Sequence, residues 1–156
     1  MPRATGRKDT EMNRDSPPKV LLYIEDDLAN RILVRRVMEA QGYRVLDAED
    51  GPQGLKIAQA EQLGVILVDI HMPGMDGFEV MAQLRAIPST ASVPLVAVTA
   101  MVMKGDRERT LEAGCSAYIE KPIDVDLLPD QIAAVLAGEA ASTGSAAYRN
   151  TRGTGA

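Results

Sequence analysis

Aliphatic residues gather in five short runs along this chain, at 20–24 (VLLYI), 44–48 (RVLDA), 65–68 (VILV), 95–98 (LVAV) and 117–119 (AYI). Runs that are apolar at consecutive rather than alternate positions mark parallel strands buried on both faces. Stretches of helical length lie between and after them, at 28–41, 52–61, 78–87, 104–113 and 125–137. In the first of these, Ile32, Leu33, Val37 and Ala40 fall on one stripe with Arg31, Arg35 and Glu39 opposite, so that stripe is expected to face the core. Gly42, Gly114 and Gly138 stand where helices should stop, and Pro52 sits in a first turn. Five β–α repeats predict an α/β fold. It is a doubly wound, five-stranded parallel sheet with five helices, in three α/β/α layers.

The pattern fails at both ends. Residues 1–18 contain no Val, Ile, Leu or aromatic, and 139–156 contain no Val, Ile, Leu or Met. Neither end can bury enough surface to offset the entropy of ordering it, so both are expected to be flexible tails on a folded unit at 19–138. Charge sharpens that division. The 156 residues carry −5, each end carries +1, and the 120 residues between them therefore carry −7. An acidic domain argues against nucleic-acid binding and against a polybasic membrane anchor. No apolar run approaches the ~18 residues of a membrane span, and the N-terminus lacks the apolar stretch of a secretory signal. One Cys and one His leave no thiolate cluster or His-rich metal site. A soluble, cytoplasmic protein is expected, and the lone thiol suits that compartment.

In a doubly wound sheet, ligands collect beyond the carboxyl ends of the strands. Here Glu25, Asp26 and Asp27 follow the first strand, Asp69 the third, Thr99 the fourth, and Lys121 with Pro122 the fifth. Carboxylates from adjacent strand ends repel one another, and a hard divalent cation relieves the repulsion; oxygen-only ligation suits Mg²⁺. Asp69 could then act as a nucleophile in aspartyl-phosphate chemistry. The Lys121 ammonium and Thr99 hydroxyl would meet the charge of the phosphoryl group. Singly, each residue has an ordinary explanation as a turn former, helix start, cap or surface cation. Their joint placement at one rim makes the case for a site.

The segments VLLYIEDD, ILVDIHMPGMDG, VAVTA and YIEKPI, in that order, resemble the receiver domains of two-component response regulators, over residues 19–138. The resemblance implies a flavodoxin-like strand order, 2-1-3-4-5. It implies Asp69 as phosphoacceptor, and Mg²⁺ held by Glu25, Asp26, Asp69 and the backbone carbonyl of His71. Thr99 matches the hydroxyl that turns toward the phosphoryl group, Lys121 the lysine that pairs with it, and Tyr118 the aromatic that moves inward on activation. Thr99 and Tyr118 would form the switch, and Lys121-Pro122 is expected to be cis. The implied partners are a histidine kinase or histidine phosphotransfer protein as donor, and a downstream protein on the face of the fourth helix, fifth strand and fifth helix. Monomer and phosphorylation-dependent dimer are both open. Nothing after Gly138 is long enough for an effector, so a single-domain regulator is expected, with self-phosphorylation and self-dephosphorylation but no turnover of substrate.

The remaining positions have plainer expectations. Asp27 should cap the first helix, and Cys115 should be a small buried residue. His71 and Met101 flank the opening, where the Met101 thioether orients an attacking water poorly. Arg35, Arg36, Arg107 and Arg109 read as solvated helix faces. An aspartyl phosphohydrolase would need a second acid two residues after Asp69, where this chain has His71. A receiver that binds partners without accepting phosphate would not need the full set of Glu25, Asp26, Asp69, Thr99 and Lys121. Nucleotide binding lacks both GxxxxGK[ST] and a GxGxxG after a strand.

Overall fold

A computed structural model of the chain describes residues 18–100 and 105–138. The expected tails, Met101, and the start of the fourth helix at Lys104 lie outside the described residues. Five strands, β1 (Val20–Ile24), β2 (Arg44–Ala48), β3 (Val65–Asp69), β4 (Leu95–Thr99) and β5 (Ala117–Glu120), form one sheet in the order β2-β1-β3-β4-β5. Every adjacent pair is parallel. The helices that connect or follow them are α1 (Leu28–Glu39), α2 (Gly51–Ala60), α3 (Gly77–Ala86), α4 (Asp106–Glu112) and α5 (Leu128–Leu136).

Alternation along the strands divides the core in two. Leu22, Ile24, Ile66, Val68, Leu95, Ala97 and Tyr118 point to one face, against Ala58 of α2 and Val80, Met81 and Leu84 of α3. Leu21, Tyr23, Val65, Leu67, Val96, Val98 and Ile119 point to the other, against Val34 and Met38 of α1 and Leu128, Ile132 and Val135 of α5. Fully burying a Leu, Ile or Val side chain contributes about 1.5–3 kcal/mol. This central slab is therefore the main source of stability.

Aspartate side chains start three of the helices. Asp27 accepts from the amides of Ala29 and Asn30, Asp50 from Gln53, and Asp76 from Phe78. Gly42, Gly114 and Gly138 adopt φ of +90°, +89° and +76°, the left-handed turn that ends a helix. The fifth helix begins three residues later than its periodicity suggests. Asp124 accepts from the Asp126 amide through its side chain and from the Leu127 and Leu128 amides through its carbonyl, which makes 124–127 a turn before Pro129.

The expected core stripe of α1 is rotated. Ile32 and Leu33 are 42% and 40% exposed, and Ala40 is exposed, whereas Val34 and Met38 are completely buried. The run Ile32-Leu33-Val34 is apolar all along one turn and cannot select its own inward member. The arginines decide it. Arg31 donates to the carbonyl of Glu25 at 2.8 Å, and Arg35 to the carbonyl of Val45 at 2.8 Å while pairing with Asp47 at 3.3 Å. Their aliphatic stems lie along the protein and their heads meet β1 and the edge strand β2, so Arg35 is not a simply solvated residue.

Candidate functional site

The register of the sheet assembles the rim. Ile24 is level with Val68, so the next residues, Glu25 and Asp69, leave their strands side by side. Asp69 is level with Val98, which puts Thr99 one step further out. Thr99 is level with Glu120, and the amide of Lys121 donates to the Thr99 carbonyl at 2.7 Å. Four polar residues distant in sequence thus meet without any irregular backbone. Glu25, Asp69 and Thr99 are 1%, 2% and 0% exposed, as buried as the aliphatic residues behind them.

Lys121 joins the two buried carboxylates. Its ammonium lies 2.6 Å from Glu25 Oε1 and 3.0 Å from Asp69 Oδ2. Glu25 also accepts from the Tyr23 hydroxyl at 2.8 Å and the Asp27 amide at 3.1 Å. Asp69 accepts from the His71 amide at 3.0 Å. Burial raises both carboxyls, and the hydrogen bonds oppose it. For Glu25 the donors from Lys121, Asp27 and Tyr23 prevail and hold it below the usual range. For Asp69 burial prevails, helped by the Glu25 charge against the His71 amide and Lys121, and the carboxyl is pushed up. Lys121 loses hydration but gains two anions, and its ammonium is held above its ordinary range. Two carboxylates share one cation. The rim retains uncompensated negative charge.

Asp26 adds to it. It is exposed beside its buried neighbours, and Glu25, Asp26 and Asp69 each offer a carboxylate oxygen with all three within 4.8 Å of one another. Burial and the adjacent Glu25 push the Asp26 carboxyl up. Three hard oxygen donors, two anchored and one facing solvent, fit a small divalent cation that keeps part of its water shell.

The β3–α3 connection supports this rim from below. Gly77, the first residue of α3, packs so closely on the end of β3 that a Cβ there would collide with Ile70 Cα and come within 2.7 Å of the Asp69 carbonyl oxygen. Its amide donates to the Ile70 carbonyl at 3.4 Å. His71 is exposed at the mouth. Across the loop, the Arg109 guanidinium stacks 3.9 Å from the Phe78 ring centroid and lies 3.8 Å from Asp76, so Arg109, exposed as expected, also links α4 to α3. Arg36 is exposed, as expected. The Lys121-Pro122 peptide is cis.

A sequence profile of the response regulator receiver domain matches residues 21–133. This chain belongs to the receiver family. The polar-differentiation response regulator DivK of Brucella anthropi is 40% identical to it over 108 residues, which cover 69% of this chain and 88% of that protein. Among solved structures, the chemotaxis protein CheY4 of Vibrio cholerae shares 26% identity at a TM-score of 0.73, over 75% of this chain and 98% of that one. The receiver domain of the Pseudomonas aeruginosa sensor histidine kinase PA1611 shares 31% at 0.69, over 78% and 99%, and holds a magnesium ion in its active-site cleft. A receiver works in two-component signalling by taking a phosphoryl group onto an aspartate, and is not a turnover enzyme of the usual kind.

The receiver fold brings together Glu25, Asp26, Asp69 and Lys121, with Thr99 at the adjoining strand end. Tyr118 lies one strand residue before Ile119, 3% exposed and packed in the α2/α3-side core. Asp27 caps α1. Cys115 is 8% exposed, and burial pushes its thiol up to about 12, which leaves it unreactive at neutral pH. Two supporting residues escaped the sequence reading. Tyr23 was readable, because period two in a strand sets it on the same side as Glu25. Arg31 carried no local signal, since its partner is a main-chain carbonyl six residues back.

Proposed function

We propose that this receiver accepts a phosphoryl group on Asp69 from a histidine kinase or a histidine phosphotransfer protein, with Mg²⁺, and relays it as a change of shape to a protein target. The observation that carries the reading is the shared ammonium: Lys121 within 3.0 Å of Asp69 and 2.6 Å of Glu25 in a buried acidic pocket. Glu25, Asp26, Asp69 and the His71 carbonyl would hold the cation, which when bound supplies positive charge against carboxylate and phosphoryl oxygens.

The chain's own residues account for the rest. The His71 amide fixes Asp69 Oδ1, and Lys121 fixes Oδ2, so the carboxylate is oriented before a donor arrives. A carboxylate oxygen forms the new bond to phosphorus as the donor's P–N bond breaks, its electron pair returning to the imidazole nitrogen. The phosphoryl oxygens then take over the Lys121 ammonium and the Thr99 hydroxyl. A phosphoryl group of about −1.5 to −2 replaces the carboxylate's −1, and this extra charge and bulk at the rim bias Thr99 and Tyr118 between two arrangements, the two-state element that a partner on the α4-β5-α5 face reads. Hydrolysis of the acyl phosphate resets Asp69, so one phosphoryl group is consumed per event. No helix among the described residues is long and apolar enough to cross a membrane, and we place the receiver in the cytoplasm with its donor.

Incubation with Mg²⁺ and a small phosphodonor, followed by intact mass, tests the reading. One phosphoryl adduct is expected, absent from Asp69→Asn and from samples with chelator. No adduct and no Mg²⁺ binding would mean a receiver that signals without phosphate. Release of many equivalents of phosphate without accumulation would mean a phosphohydrolase.

A further inference from the structure

Glu25 and Asp26 carry the cation site, yet they lie just past the end of β1, where the sheet's hydrogen bonds stop. Three contacts replace the ladder. The Glu25 amide donates to the Ala48 carbonyl at 2.9 Å, the Glu25 carboxylate takes the Asp27 amide, and the Glu25 carbonyl takes the Arg31 guanidinium at 2.8 Å. The third contact grips the peptide that joins the two acids. Asp26 depends on it most, because its side chain is exposed whereas those of Glu25 and Asp69 are buried.

Arg31 is built to stay in place. Its side chain is 12% exposed, one turn into α1, with Nε 3.9 Å from Asp47 Oδ2 on β2. Asp47 is itself held by Arg35 at 3.3 Å. Asp27 accepts the Arg31 amide through its carbonyl at 3.1 Å while its side chain caps the helix. The loop from Glu25 to Asp27 and the first turn of α1 therefore form one closed unit, braced to the edge strand through a partly buried guanidinium.

We propose that Arg31 is a positioning residue for the cation. By fixing the Glu25–Asp26 peptide through the Glu25 carbonyl, it sets the direction in which the Asp26 carboxylate is presented to Mg²⁺. The inference rests on the magnesium-dependent reading above. Arg31 touches neither the phosphoacceptor nor the ion. It acts on the most exposed acid of the three, and groups that orient ligands in this way typically govern affinity by about tenfold or more.

The test is a Mg²⁺ titration of the full chain, followed by the amide NMR shifts of Asp26 and Asp27 and by calorimetry, well below the unfolding midpoint of each variant. Arg31→Met keeps the stem and removes every donor; Arg31→Lys returns one charged donor. Arg35→Ala is the control: it takes from Asp47 one of its two arginines but leaves the Arg31 guanidinium on the Glu25 carbonyl, the contact to which the effect is assigned. Expected Mg²⁺ dissociation constants are about tenfold weaker for Arg31→Met, about threefold for Arg31→Lys, and within about twofold of wild type for Arg35→Ala, although Arg35→Ala also lowers the melting temperature. Phosphorylation of Arg31→Met should recover at saturating Mg²⁺, which a general packing defect would not allow. If Arg31→Met does not fold, Arg31→Lys decides. A folded Arg31 variant with wild-type Mg²⁺ affinity, or an equal loss in Arg35→Ala, overturns the inference while leaving the phosphoacceptor reading intact. A wild-type chain that binds no Mg²⁺ overturns both.

Discussion

On strand β3, Val68 and Asp69 are neighbours buried to nearly the same degree, 0% and 2% exposed, yet their burial has opposite consequences. Val68 gains by leaving water. Asp69 loses its hydration, and its carboxyl is pushed up even with an amide and an ammonium beside it. The same contrast holds across the sheet: Leu21 to Ile24 against Glu25, Val98 against Thr99, Ile119 against Lys121. The interior of the slab supplies stability, and its rim draws on that stability to hold charge in a geometry that water alone would not keep.

Four substitutions and conditions probe how far that contrast goes. Leu67→Ala, in the interior, should lower unfolding free energy by about 3–4 kcal/mol in urea titration, because the sheet and two helices close over it from both sides. Lys121→Met, at the rim, should cost about 2 kcal/mol, less than the 3–5 of a sealed pair since the lysine is 17% exposed. It should still take up phosphoryl groups to some extent but lose the phosphate-linked shift in NMR spectra. A shift identical to wild type would remove Lys121 from the switch.

The next effect lies in alkaline pH. Burial and then the Glu25 charge raise the Tyr23 hydroxyl far above its ordinary value of 10.0, and Lys121 is also held above its ordinary 10.5. Both groups keep their protons in the folded chain after the unfolded chain has released them. Their stabilisation is therefore complete below about pH 10 and drains away as pH rises, at up to about 1.4 kcal/mol per pH unit for Tyr23, with Lys121 adding in the same direction. Melting temperatures between pH 9.5 and 11.5 should fall, and Tyr23→Phe should fall less steeply. Equal slopes would mean that Tyr23 is not held neutral by the rim. The smallest effect has the reverse sign. Asp69→Asn removes the repulsion with Glu25 and should raise stability by about 1 kcal/mol or less, even as it abolishes the adduct. A destabilised Asp69→Asn would mean that the rim is held at no cost, and the contrast with Val68 would fail.

How much of this was legible in the sequence depends on how far apart the partners lie. The strands were readable to within one residue at their ends, because consecutive aliphatic residues have no other home in a chain of this size. Glu25, Asp69, Thr99 and Lys121 were readable because a parallel sheet delivers every strand end to the same edge. The inward face of α1 was misread. Ile32, Leu33 and Val34 have equal hydrophobic claims, and the choice among them goes with Arg31 and Arg35 finding carbonyls just past β1 and on β2, which no helical periodicity contains. The turn at 124–127 was hidden for the same reason: the Asp124 side chain and carbonyl compete locally with helix formation, and Val125 and Leu127 alone suggested its continuation. Arg109 is solvated as read, but its partners, Phe78 and Asp76, belong to a different helix start and left no local signal.

The close seating of Gly77 on the end of β3 has a bearing on how this receiver can diverge. Between them, His71 and Pro73 are exposed and leave room for other side chains, whereas Met72 packs in the core, Gly74 holds a φ of +86° and Asp76 caps α3. Position 77 admits no such drift, since even a methyl group would lever α3 away from the strand that presents Asp69. The loop thus offers few free positions between fixed points, and a change of side chain at those few leaves the seat of Asp69 where it is.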